Sequence, residues 1–233
     1  MNIELLNPEE TKNIFKNWGT TSAICYNSHG NAQKIGEHCL SSGHFSGSRG
    51  DYIKFLITDV PRLVVDQAVR HEIGVFKNVE SFQYVDKSFN NNMCEVPEVL
   101  KNNQSLLNEY NDYIKTAQRL YAKIQDYCRS IGKSKKEANG QARHVLPMST
   151  KTAFTIGFTV EALIHFMNTR LCTRAEKPIQ QMATQMKKIV IEQLPQLEPY
   201  LVPNCEYLLW CPEGEHGCGR YPTKENVRKV LNT

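Results

Sequence analysis

The stretch from Gln104 to Ile131 sets the strongest limit on how this chain can fold. Leu106, Tyr110, Tyr113, Ile114, Ala117, Leu120, Tyr121, Ile124, Tyr127 and Cys128 recur at steps of three and four. That is the spacing of one helical face, and it predicts an unbroken amphipathic helix. At 1.5 Å per residue such a helix runs about 40 Å. It is long for its place in a single domain, and its apolar stripe needs cover along the whole length. The expectation is that it packs partly against another subunit. Its tyrosines read as core and interface packing, not as a cofactor box.

Shorter elements surround it. Met1 to Leu6 alternates loosely, as a short strand does. Asn7-Pro8-Glu9-Glu10 predicts a capped helix start running to about Trp18. Thr20 to Tyr26 is compact and apolar, a strand or buried turn, and Asn31 to Ser42 reads as a helix. Gly43 to Tyr52 is a glycine- and serine-rich loop. Tyr52 to Val60 and Thr152 to Phe158 have strand composition, and Asn78 to Asp86 reads as another strand. Pro61 opens a short helix ending near His71, and Phe89 to Met93 is expected as a surface turn. Glu137 to His144 predicts a short helix before Pro147. Thr159 caps a helix to about Leu171, with Val160, Leu163, Ile164 and Met167 inward and Glu161, His165 and Asn168 opposite. Pro178 opens the last long helix and Pro195 ends it. The basic turn Gly132 to Lys136 lacks the upstream glycine of a phosphate loop and follows a helix, so it reads as a solvated turn.

Composition removes several classes. A length of 233 residues suits one domain with a real core. A net charge of +4 suits small anionic ligands and is too mild for a nucleic-acid-coating protein. No apolar run reaches membrane-spanning length. The N-terminus has neither the basic nor the apolar region of a signal peptide. The expected location is therefore cytoplasmic, with the eight cysteines as thiols or metal ligands rather than disulfides.

The chemistry concentrates in Asp66 to Tyr84, DQAVRHEIGVFKNVESFQY. Arg70 and His71 end an apolar helical run, a loop with Gly74 and Lys77 follows, and then come Asn78, Ser81, Gln83 and Tyr84. So many donors with few carboxylates fit either a polar turn or a site for an anionic, hydrogen-bonding ligand. Arg-His, a short loop, then Asn-x-x-Ser-x-x-Tyr resembles the signature of the flavin-dependent thymidylate synthases, approximately R-H-R-x-x-S-x-N-E-x-S-x-R-Y. Gln67, Arg70, His71, Asn78, Ser81 and Tyr84 match it. Glu72 stands for the second arginine, and the loop is one residue longer. Glu80 lies one step beyond the expected acid, and Gln83 replaces an arginine that grips the nucleotide phosphate.

A second block is similar to the same family. Ala142-Arg143, Leu146-Pro147, Phe166, Asn168, Arg170, Ala175 and Ile179-Gln180 follow in order and spacing. The resemblance implies that Arg143 holds the phosphate of dUMP. It implies that Arg170 contacts the uracil ring and stabilises charge as C6 is attacked. Gln67, Gln83 and backbone donors near Ser81 would complete the nucleotide site. Arg70, His71, Asn78 and Ser81 would contact FAD. His165 and Arg174 stand where the family has an Asn and a His for the flavin, and Thr159 and Glu161 replace an Asn and an Arg. Gly43-His44 resembles the start of a family loop that faces flavin and folate, which adds His44.

The implied fold is α+β, a mixed or antiparallel sheet flanked by long helices. The implied activity is reductive methylation of dUMP to dTMP, with methylenetetrahydrofolate as one-carbon donor, NADPH as reductant and FAD as cofactor, in a homotetramer with shared active sites. No protein nucleophile is required. Two alternatives stay open: a flavoenzyme modifying another pyrimidine nucleotide, for example by hydroxymethylation, and an inactive nucleotide-binding protein of the same fold. The catalytic domain is expected over residues 1–201, with a cysteine-rich tail over 202–233. In that tail Cys205, Cys211, His216 and Cys218 can be read as zinc ligands or as incidental thiols in a glycine-rich surface segment.

Overall fold

The structure, a computed structural model, describes residues 1–87 and 92–231. Most of the expected turn at Phe89 to Met93 lies outside the described residues. The elements run β1 (Asn2–Leu5), α1 (Pro8–Lys12), α2 (Ile14–Tyr26), α3 (Ala32–Ser41), β2 (Ile53–Pro61), α4 (Arg62–Ala68) and β3 (Val75–Val79). They continue α5 (Gln104–Ser130), α6 (Lys135–Ala142), β4 (Lys151–Phe158), α7 (Val160–Arg170), α8 (Lys177–Gln193), α9 (Asn204–Leu208) and α10 (Lys224–Leu231). The fold is α+β, with strand order β1-β2-β4-β3. The pairing is antiparallel: Thr159 N–H donates to Gly74 O at 2.9 Å and Glu80 N–H to Ala153 O at 2.9 Å, at opposite ends of the β3–β4 ladder.

The chain divides into two compact units. One comprises residues 1–2, 57–67 and 78–154, and is built on α5 and α6. Asn103 caps α5 by accepting from Leu106 N–H, and Ala117, Tyr121, Gln125 and Cys128 are its buried side chains. Inside that unit Gln125 donates to Asn139 Oδ1 at 2.6 Å, so a polar pair buried between α5 and α6 is satisfied. Ser134 and Glu137 form a reciprocal capping box that starts α6. The α5 stripe is wider than its own chain covers. Leu106, Tyr113, Leu120 and Tyr127, each seven residues from the next, are exposed.

The other unit holds residues 3–56, 68–77 and 155–233, described to residue 231. Ile14, Phe15 and Trp18 of α2, the inner face of α7, and Ile179, Met182, Ala183, Met186 and Val190 of α8 are buried in it. Thr159 caps α7 as expected, accepting from Ala162 N–H. Asn168 is an exception to the expected polar face. It is buried and donates to the carbonyls of Tyr200 and Val202 at 3.1 and 2.6 Å.

Three expectations are corrected. Thr20 to Tyr26 is the second half of α2, not a strand. Thr20 and Thr21 hydroxyls bond back to the carbonyls of Lys16 and Asn17, which lets hydroxyl residues sit inside a helix. The helix expected from Asn7 to Trp18 breaks at Asn13, and Asn7 does not cap it. Asn7 instead accepts from Lys54 N–H at 2.9 Å and donates to Tyr52 O at 2.8 Å, anchoring the start of β2. The strand expected over Asn78 to Asp86 starts at Val75 and ends at Val79. Beyond it the chain turns, with Tyr84 and Val85 N–H both bonding to Ser81 O at 3.0 Å.

Helices α2 and α3 pack with little space between them. A Cβ on Gly36 would collide with the carbonyl of Phe15. Gly36→Ala is expected to destabilise the protein by about 1–3 kcal/mol through overpacking against backbone. Gly50→Ala, where nothing stands within 4 Å, should stay within about 0.5 kcal/mol. Urea denaturation of the two variants checks the difference.

Candidate active site

The turn after α4 places Arg70 and His71 in the unit that contains α7. Lys77 Nζ donates to Val69 O at 2.6 Å and to His71 O at 2.9 Å, which clamps the backbone of this turn. The imidazole of His71 packs edge-on against Phe166 at 4.9 Å between ring centroids, with the His165 ring at 5.8 Å. Arg170, at the end of α7, donates from Nε to His71 Nε2 at 3.0 Å. That bond requires Nε2 to be unprotonated, so His71 carries any proton on Nδ1.

The electrostatics agree with the geometry. Burial first, then the charges of Arg170, His165 and Lys77, push His71 down to about 4. Burial and neighbouring Arg70 also lower the Arg170 pKa. The imidazole is therefore neutral near pH 7 and acts as a hydrogen-bond acceptor among cations. These residues line an open pocket of about 430 Å³ with Glu72, Ile73, Val75, Ala162 and Thr169. Its donor-rich wall suits an anionic ligand.

A second pocket lies within the other unit. It has a volume of about 550 Å³ and is lined by Arg62, Glu80, Ser81, Phe82, Arg143, His144 and Met148 among others. Its acid is already neutralised. Glu80 pairs with Lys87 at 2.7 Å and accepts from Ala153 N–H and the Thr152 hydroxyl at 3.0 and 3.2 Å. Arg62 pairs with Asp66 at 3.4 Å and lies over the Phe82 ring at 5.7 Å. Arg143, just past the end of α6, is exposed on the wall of this pocket.

The structure thus gathers Arg70, His71, His165 and Arg170 in one pocket, and Ser81 and Arg143 in the other. The remaining expected residues line neither. Asn78 is exposed, and Gln67 is half-buried on α4. The Gln83 side chain lies beside Gly140. His44 is exposed, with its carbonyl accepting from Trp18 Nε1 at 3.2 Å. Arg174 pairs with Glu213 at 2.7 Å and lines a third, much smaller cavity together with Cys172, Cys205, Cys211 and Cys218. His216 does not line that cavity. Arg62 and His144 line the second pocket at positions the sequence pattern did not assign, and Lys77 acts through the backbone of the turn rather than by lining a pocket. A basic residue at a strand-to-helix junction, as at Pro61-Arg62, was the available signal for the first.

A family model described as thymidylate synthase complementing protein matches residues 9–196. The chain belongs to the flavin-dependent thymidylate synthase family. A protein named flavin-dependent thymidylate synthase from Nitratidesulfovibrio vulgaris is 32% identical over 189 residues, covering 81% of this chain and 76% of the relative. One of the same name from Clostridium tetani is 29% identical over 193 residues, covering 78% and 74%. The crystal structure of the UMP/dUMP methylase PolB from Streptomyces cacaoi with 5-Br dUMP is similar in fold, with a TM-score of 0.65 at 19% identity, covering 85% of this chain and 93% of that one. The matched family region ends before Cys205, Cys211 and Cys218.

The neutral histidine titrates well below its ordinary range. The folded-state pKa of His71, about 4, lies below its ordinary 6.5. As pH falls, the unfolded chain binds the proton first. The stability contributed by this group is complete above about pH 6.5 and is lost as pH falls toward 4. Side-chain ¹⁵N NMR should show His71 without a titration step between pH 6 and 8. Arg170→Gln should move the midpoint only part of the way back, because burial is the larger cause. A wild-type midpoint near 6.5 would contradict the arrangement.

Proposed function

We propose that the protein catalyses reductive methylation of dUMP to dTMP, with methylenetetrahydrofolate supplying the carbon unit and NADPH the reducing equivalents. The observation that carries this reading is the pocket in which Arg170 donates to a neutral His71 beside Arg70 and His165. Family membership makes that pocket the place to look for flavin and pyrimidine recognition.

The donor set fits FAD. Guanidinium and imidazole groups with a single exposed carboxylate, Glu72, match a dianionic pyrophosphate and a polar heteroaromatic ring. Arg70, His71 and His165 are the residues proposed to hold it. FAD, when bound, supplies the hydride. Lys77 holds the backbone of His71 in place, and His71 in turn orients the Arg170 guanidinium. Arg170 is proposed to stabilise negative charge developing on the uracil ring. Arg143, with Arg62 beside it in the second pocket, is proposed to hold the nucleotide phosphate. Glu80 does not oppose an anion there, because Lys87 compensates its charge.

The two arginines should fail in different ways. Phosphate charge is the same in substrate and transition state, so Arg143→Ala should chiefly raise KM for dUMP and leave flavin bound. Ring charge develops only during reaction, so Arg170→Ala should lower kcat by about 10²-fold, the loss expected for one preorganised donor. Steady-state kinetics with flavin occupancy measured on the same samples checks both. Flavin-loaded wild-type protein that forms no dTMP from dUMP, methylenetetrahydrofolate and NADPH would refute the assignment.

The uncovered side of α5 supports a homotetramer. Leu106, Tyr113, Leu120 and Tyr127 form an exposed apolar ridge along one line of the helix, a surface a neighbouring chain could cover. Light scattering should give a tetramer mass, reduced in Tyr113→Arg/Tyr127→Arg. A wild-type mass equal to one chain would remove this part of the reading.

A further inference from the structure

Beyond Leu201 the chain has almost nothing to fold around. Among the described residues after that position, Cys205 and Cys211 are the only buried side chains. The segment contains the five-residue α9, a 3₁₀ turn at Gly214–His216, and α10. A β-bridge between Cys211 and Thr223, the Arg220–Glu206 ion pair at 3.1 Å and Lys224 over the Trp210 ring link its parts. The segment belongs to the same compact unit as α7 and α8 but brings little apolar core of its own, a setting in which a bound metal would add stability.

Four thiols converge in this setting. Cys172 lies just past the end of α7, Cys205 on α9, Cys211 at the bridge, and Cys218 after the 3₁₀ turn. All four line one cavity of about 60 Å³, within a single unit of the structure. That volume suits an ion or a few waters, not a nucleotide. All four cysteines are free thiols. Space beside the Cys211 sulfur is kept open by Gly217, where a Cβ would stand 2.8 Å from Sγ. Arg174 and Arg220 also line the cavity, each paired with a carboxylate, Glu213 at 2.7 Å and Glu206 at 3.1 Å.

We infer that Cys172, Cys205, Cys211 and Cys218 close on one zinc-class divalent ion and pin the tail to the end of α7. Four sulfur ligands select a soft-accepting tetrahedral ion over magnesium or calcium. Among the described residues no three His, Cys, Asp or Glu side chains already form a metal-binding group, so the inference requires the four thiols to move closer together when the ion binds. Binding releases the thiol protons to solvent and changes no oxidation state. Cys172 follows Arg170 by two residues, and Gln180 Nε2 donates to its carbonyl at 3.0 Å. The ion would therefore fix the segment that carries the pocket arginine.

The test uses the full chain, purified reduced and without chelator. Elemental analysis should find one zinc per chain. Exchange with Co²⁺ should give intense sulfur-to-cobalt charge-transfer bands and tetrahedral d–d bands. Cys172→Ala and Cys218→Ala should lose the ion, while His216→Ala and Cys25→Ala should keep it. These readouts do not depend on dTMP formation, so they stand or fall apart from the synthase assignment. If the variants fail to fold, the wild-type cobalt spectrum still decides, because charge-transfer intensity reports the number of thiolates. Reduced wild-type protein that holds no zinc and gives no such bands with cobalt would overturn the inference. Loss of the ion in His216→Ala, or disulfides in mass spectra of the zinc-loaded protein, would overturn it as well.

Discussion

An arginine can donate to an imidazole nitrogen only while that nitrogen is unprotonated, and the α7 pocket is built around this condition. Protonating His71 would place another cation against Arg170 in a partly buried setting. The structure prevents this at neutral pH by burying the ring against Phe166 and surrounding it with positive charge. Lys77 fixes the backbone from below through the carbonyls of Val69 and His71. Arg170 donates to a neutral acceptor, the His71 imidazole. The imidazole that orients it therefore does not cancel its charge.

The second pocket solves the same problem differently. An acid is present, but Glu80 is bound by Lys87, a backbone N–H and a threonine hydroxyl. Its carboxylate thereby ties the turn after β3 to β4 instead of repelling an anion. Arg62 stacks over Phe82 and leaves Arg143 exposed on the pocket wall.

Helix α5 serves the fold on one side and presents an apolar surface on the other. Ala117, Tyr121, Gln125 and Cys128 face the interior of their unit, whereas Tyr113 and Tyr127 are exposed. The tyrosines read along one broad stripe in the sequence thus have two environments. A helical pattern shows that a face is apolar, but not how much of it the same chain covers.

The sequence by itself determined what local rules govern: the long helix, the Thr159 cap, the strand before it, and the α+β class. Its two motif blocks also identified the family, because arginine and histidine spacing survives the departures at Glu72, Gln83 and His165. Tertiary structure decided what depends on distant neighbours. Asn7 had the features of a helix cap but bonds to β2, since the backbone groups of Tyr52 and Lys54 compete for the same side chain. Asn168 looked like part of a polar face but satisfies two carbonyls more than thirty residues away. Gln83 and Arg174 stand at family positions, yet one side chain lies beside Gly140 and the other pairs with Glu213. The cavity of the tail follows the same rule. His216 was near the cysteines in sequence, but Cys172 shares their cavity, and only the folded chain brings α7 and the tail together.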